Sequence, residues 1–132
     1  MNDRPSILIV DDEADFREIF SVKLGSAGYS IDTASSGAEA IEKAKLHRPA
    51  LVLMDVQMPE MSGIETMLRM QAIPELRDVK VVFLTNLGEP KVELQGADRL
   101  WAREIGAFGY LRKTDDLSSL LDHVRIYTGG SS

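Results

Sequence analysis

The stretch Ala50-Leu51-Val52-Leu53-Met54-Asp55-Val56-Gln57-Met58-Pro59 decides the fold. Leu51 to Met54 is an unbroken apolar run with the length and composition of a strand buried on both faces, as the central strand of a parallel sheet is. Asp55 therefore stands where that strand meets solvent. Three further apolar runs end in polar groups. Ile7 to Val10 leads into Asp11 and Asp12, Val81 to Leu84 leads into Thr85, and Tyr110 and Leu111 are followed after Arg112 by Lys113. If the four runs are neighbouring parallel strands, three acids, a hydroxyl and an ammonium meet at the carboxyl edge of one sheet. That is the edge at which open α/β sheets bind ligands.

Between these runs the sequence alternates strand and helix signals. Ile7 to Val10 is the first strand, and the acidic Asp11-Asp12-Glu13 stretch is placed to begin a helix, where carboxylates favour the positive end of the dipole. Phe16, Ile19, Phe20, Lys23 or Leu24 and Ala27 keep helical spacing, and Gly28 supplies a stop. Ser30 to Ala34 reads as a short second strand. Ala38, Ile41, Ala44 and Leu46 form the next helical stripe before Pro49, and Ile64, Met67, Leu68 and Ile73 form the third, which ends at Pro74. Val79 to Leu84 is the fourth strand. Thr85 to Lys91 is a long loop with Gly88 and Pro90, and Leu94, Ala97, Trp101 and Ile105 share the face of a fourth helix. Tyr110 and Leu111 centre the fifth strand, and Leu117, Leu120, Leu121 and Val124 belong to a fifth helix capped by Thr114 or Asp115. This βαβαβαβαβα order predicts a parallel sheet with right-handed crossovers and helices on both faces. The domain is expected over 6–127, with 128–132 a flexible C-terminal tail or linker stub.

Bulk properties narrow the function. With 132 residues, 44% hydrophobic and 27% charged, the chain has the size and composition of one globular domain. It has no cysteine, which removes disulfides and thiolate metal sites. A net charge of −6 without a basic stripe argues against direct nucleic-acid binding. Neither a signal peptide nor a membrane span is legible, so a cytoplasmic location is expected. His47 and His123 are assigned no role, and Met54, Met58 and Met67 are read as gap-fillers in the core.

Three convergent carboxylates, Asp11, Asp12 and Asp55, are too costly to leave unneutralised in a cleft, and their hard oxygens suit a divalent cation. Mg2+ fits because it retains waters and is held by one or two carboxylates together with phosphate oxygens. Lys113 adds a point charge and Thr85 a hydroxyl, so a phosphoryl group on or near Asp55 complements the whole set. A carboxylate can itself be the nucleophile, giving an aspartyl phosphate.

The sequence resembles the receiver domain of the two-component response regulators. The resemblance is carried in order by Ile7-Leu8-Ile9-Val10-Asp11-Asp12, by Leu51 to Asp55 with Pro59 and Gly63, by Phe83-Leu84-Thr85, and by Gly106 to Lys113. It implies an α/β, flavodoxin-like (CheY-like), doubly wound five-stranded parallel sheet in order 2-1-3-4-5 with five helices. Asp55 would be the phosphoacceptor. Asp12, Asp55 and the carbonyl of Gln57 would bind Mg2+, with Asp11 assisting through water. Lys113 and Thr85 would contact the phosphoryl group, and Thr85 and Tyr110 would form the switch, although Tyr110 is equally compatible with plain packing. The donor would be a sensor histidine kinase or phosphotransfer protein. The readout would be a changed surface at the fourth helix, fifth strand and fifth helix, offered to a downstream partner or output domain or to a second copy in a phosphorylation-dependent homodimer.

Two positions depart from the family pattern. Asn86 stands where a very small residue is usual and is expected to slow loss of the phosphoryl group. Thr114 stands where proline usually follows the lysine, so a trans bond is expected there. Two rival functions remain at this point. One is a receiver-like binding module that works without phosphorylation. The other is an aspartyl-phosphate phosphatase, against which Gln57 argues, because such enzymes usually place a second acid two residues after the nucleophile. The expected activity is autocatalysed phosphoryl transfer to Asp55 and slow autodephosphorylation rather than multiple turnover of outside substrates.

Overall fold

In the computed structural model, residues 4–85, 108–113 and 116–129 are described. Five parallel strands, β1 (Ser6–Val10), β2 (Ser30–Ala34), β3 (Leu51–Asp55), β4 (Lys80–Thr85) and β5 (Gly109–Arg112), form one sheet in the order β2-β1-β3-β4-β5. Four α-helices occur among the described residues: α1 (Ala14–Ser26), α2 (Gly37–Leu46), α3 (Gly63–Gln71) and α4 (Leu117–Tyr127). The helix expected around Leu94, Ala97, Trp101 and Ile105 lies outside the described residues, so α4 here is the fifth helix of the sequence reading. The doubly wound architecture and its strand order agree with expectation.

The apolar strands sort their side chains by alternation. Ile7, Ile9, Leu51, Leu53, Val82 and Leu84 face Phe20 and Leu24 of α1 and Leu120 and Val124 of α4. Leu8, Val10, Val52, Met54 and Phe83 face Ala40 and Ala44 of α2 and Met67 and Met70 of α3. Both faces are covered, and for that reason β3 is buried at all five positions and the sequence shows a run rather than an alternation. Met58 is partly buried against the second cluster, and Met54 and Met67 are wholly buried, as gap-filling requires.

The helices bury Phe20, Leu24, Ala44, Met67, Leu120, Leu121 and Val124 as read, but α1, α2 and α3 leave other stripe residues in solvent. Ile19 is 52% exposed, Leu46 76% and Leu68 43%, and Ala38 is exposed as well. Gly37, Ala40, Thr66 and Met70 take the inner positions instead. Close approach of α2 and α3 explains this choice: a Cβ at Gly37 would run into the Thr66 side chain. Only small or compact residues fit that seam. α1 starts at Ala14 with Glu13 at the cap position, so the acidic triplet precedes the helix rather than forming its first turn. β4 runs one residue further toward the C-terminus than read, from Lys80 to Thr85.

Candidate functional site

Register brings the site together. β1 pairs with β3 so that Val10 is opposite Met54, which sets Asp11 beside Asp55. Asp55 is in turn opposite Leu84 of β4, and Thr85 is opposite Arg112 of β5. The Lys113 N–H donates to the Thr85 carbonyl at 2.8 Å, carrying the lysine one residue past the end of β5 to the same edge. Parallel strands of similar length end together, and the three acids, the hydroxyl and the ammonium share one edge as a result.

One oxygen each from Asp11, Asp12 and Asp55 lies within 4.8 Å of the others. Asp11 is wholly buried and Asp55 is 8% exposed, whereas Asp12 faces solvent. Lys113 Nζ sits 2.8 Å from Asp11 Oδ2 and 3.7 Å from Asp55 Oδ2, with 5% of its side chain exposed. Among the described residues no hydrogen bond of ordinary geometry reaches Asp11 Oδ2, so its contact with Lys113 is mainly charge on charge. Asp11 Oδ1 accepts from the Glu13 N–H at 2.8 Å, and Asp55 Oδ1 accepts from the Gln57 N–H at 3.2 Å. Gln57 is thus brought to Asp55 through its own main chain. The Thr85 hydroxyl donates to the Leu111 carbonyl at 3.5 Å.

The loop after Asp55 is held from below. Gly63 N–H donates to the Val56 carbonyl at 2.9 Å, and a Cβ at Gly63 would collide with the Asp55 carbonyl oxygen. A glycine is required here for close approach. Ser62 caps α3 by accepting from the Glu65 N–H.

Charge at this edge is unbalanced. Burial, then the Asp11 charge, pushes the Asp55 carboxyl up from 3.8 to about 6, with Lys113 and the Gln57 N–H opposing. Burial also raises Asp11. For Lys113, burial works against the ammonium, but its close contacts with Asp11 and Glu13 and the Asp55 charge outweigh it, and the pKa is raised. The site lacks positive charge, and its donors are hard oxygens. This is the donor set that suits Mg2+, and the residues fit that ion.

The geometry adds three residues that spacing alone did not single out. Glu13 Oε1 accepts from Lys113 Nζ, the Phe16 ring centroid lies 4.7 Å from the same ammonium, and Arg17 Nη1 donates to the Asp11 carbonyl at 2.6 Å. Glu13 and Lys113 are distant in sequence, and only the acidic triplet hinted at the pairing. Asn86 and Thr114 lie outside the described residues. Tyr110 belongs to β5 by its backbone, and its proposed switch role concerns a side chain outside the described set.

Comparison with known proteins bears on the family and the fold. Residues 7–125 match the family described as "Response regulator receiver domain". The sporulation initiation phosphotransferase F of Bacillus subtilis is 32% identical over 127 residues, covering 96% of this chain and 94% of that protein. The "Probable transcriptional regulator ycf27" of Pyropia yezoensis is 38% identical over 112 residues, 85% of this chain but 42% of that protein, so the chain spans less than half the length of such relatives. Among solved structures, the chemotaxis response regulator CheY4 of Vibrio cholerae superposes with a TM-score of 0.82 at 28% identity, covering 94% of this chain and 98% of that one.

Proposed function

This chain belongs to the response regulator receiver domains of two-component signalling, and on that premise we propose that Asp55 is the residue on which it accepts a phosphoryl group. Receiver domains take phosphoryl groups from histidine kinases and act on output partners. The observation that carries the residue assignment is the convergence of Asp55 with Asp11, Asp12 and an almost wholly buried Lys113 at one sheet edge.

In the proposed reaction an oxygen of ionised Asp55 attacks the phosphorus of a phosphohistidine. The new P–O bond forms as the P–N bond breaks, and the bonding pair returns to the imidazole nitrogen, which takes up a proton. With its pKa near 6, Asp55 is mostly ionised at neutral pH. Lys113, 3.7 Å from Asp55 Oδ2, is within a small rotation of a phosphoryl oxygen there. Mg2+ held by Asp11, Asp12, Asp55 and the Gln57 carbonyl would supply the positive charge that the carboxylates and the incoming phosphoryl oxygens require. Thr85, whose hydroxyl rests on the Leu111 carbonyl, would turn toward the phosphoryl group and draw Tyr110 with it, re-biasing the surface built on β5 and α4. Asn86, next to Thr85, slows hydrolysis.

The donor is a sensor histidine kinase or phosphotransfer protein in the cytoplasm, and the partner acted on is a downstream protein or output domain. Among the described residues no helix is long and apolar enough to cross a membrane. Incubation with acetyl phosphate and Mg2+, followed by intact mass, tests the reading. One phosphoryl group should be gained by the native protein and none by Asp55→Asn or in chelator. Equal gain by Asp55→Asn would reject it.

A further inference from the structure

Lys113 is enclosed on more sides than phosphoryl binding requires. Asp11 Oδ2 at 2.8 Å, Asp55 Oδ2 at 3.7 Å and the Phe16 ring at 4.7 Å line its inner side. Glu13 closes the outer side, hydrogen-bonded to Nζ through Oε1 while its own side chain stays 57% exposed. The Glu13 side chain makes no cap hydrogen bond to α1, although the residue occupies the cap position. Its carboxylate is spent on the ammonium of a strand-end lysine instead.

We propose that Glu13 is a positioning residue that latches Lys113 in the unphosphorylated protein and competes with the incoming phosphoryl group for it. This rests on Asp55 being the acceptor. An ammonium has three N–H donors, and the shortest contacts are those to Asp11 and Glu13, with Asp55 beyond hydrogen-bond reach. Nζ is held toward Asp11 and Glu13 and away from Asp55 Oδ2 at 3.7 Å, so it has to move to meet a phosphoryl oxygen on Asp55, and that movement stretches one of the two shorter contacts. Asp11 is wholly buried, so in the metal-free protein freeing its carboxylate would leave an uncompensated charge inside the protein. Glu13 is half in water and is solvated again as soon as it lets go. Glu13 therefore yields first.

The consequence is specific to one step. In the resting protein the latch is closed and opening it adds to the barrier for uptake. In the phosphoprotein the latch is already open, both before hydrolysis and in its transition state, so loss is untouched. Glu13 also places a negative charge at the mouth through which an anionic donor enters, which acts in the same direction.

The test uses the whole chain with acetyl phosphate and Mg2+. Asp55 attacks phosphorus and the P–O bond to acetate breaks, with acetate leaving on the bonding pair. Intact mass gives the uptake rate, and dilution into donor-free buffer gives the loss rate. Glu13→Gln, which keeps the length and removes the charge, should take up the group roughly three- to ten-fold faster at low salt. Its loss rate should equal that of the native protein, and the uptake advantage should shrink as salt is raised. Glu13→Ala should behave alike, and circular dichroism should show both variants folded. Uptake no faster than native, or uptake and loss changed by a common factor, overturns the latch. A native protein that gains no phosphoryl group at all defeats the acceptor reading and the latch with it, a pattern distinct from native uptake that Glu13→Gln leaves unchanged.

Discussion

Asp55→Asn should make the metal-free protein more stable at neutral pH, although it removes the residue on which the proposed chemistry depends. Asp55 is 8% exposed and its carboxyl is raised from 3.8 to about 6, by burial first and by the Asp11 charge second. A group whose folded pKa exceeds its unfolded value binds its proton more tightly in the native state. Its favourable contribution is complete below pH 3.8 and is lost as pH rises through about 6. Above that window the ionised carboxylate costs at most about 3 kcal/mol, and less to the extent that water reaches its open side. Asparagine never ionises, and its side-chain oxygen can still accept the Gln57 N–H now bound at 3.2 Å. Lys113 keeps Asp11 at 2.8 Å. In chelator at pH 7.5 the variant should melt higher by roughly 10 °C if the full amount is realised. Near pH 3.5 the two proteins should melt together. Thermal unfolding followed by circular dichroism from pH 3.5 to 8 measures this. A variant no more stable than native at pH 7.5, or a difference that does not change with pH, would refute the reasoning.

Other perturbations follow from the same edge. Mg2+ at a hundred-fold over its dissociation constant should stabilise the native protein by about 2.7 kcal/mol; the melting gain should be lost in Asp12→Ala, whose side chain is exposed and whose removal disturbs no core contact. Gly63→Ala should destabilise by about 1–3 kcal/mol in denaturant unfolding and slow phosphoryl uptake, because the new Cβ presses on the Asp55 carbonyl oxygen. Lys113→Ala leaves Asp11 and Asp55 without their shared cation; it should cost roughly 3 kcal/mol and move the Asp55 titration, read by NMR in chelator, to higher pH, since Lys113 now lowers that pKa.

How much of this was legible in the sequence depended on side-chain size and on distance along the chain. The strands were readable because a sheet covered on both faces demands runs such as Leu51 to Met54, and the groups just past those runs share an edge in any parallel sheet. Asp11, Asp55, Thr85 and Lys113 were found that way. The helix faces were less readable. Ala38 and Ala40 are chemically the same residue, and Thr66 is polar by type yet buried, its hydroxyl donating to the Ser62 carbonyl at 2.8 Å. What selects among them is the approach of α2 to α3 at Gly37, a tertiary fact. Ile19 and Leu68 fit their stripes by period but are exposed. Glu13 was grouped with its acidic neighbours as a helix-start signal, and Phe16 was read only as core. Their meeting at Lys113 depends on strand register, which no local pattern carries.

Chemical trapping at residue resolution asks whether Asp55 receives the phosphoryl group. After incubation with acetyl phosphate and Mg2+, borohydride reduces an aspartyl phosphate to homoserine, which peptide mass spectrometry can locate. Homoserine is expected at position 55 alone, and not when Mg2+ is chelated. Trapping at another acid, or no trapping where a control receiver domain is labelled, would contradict it.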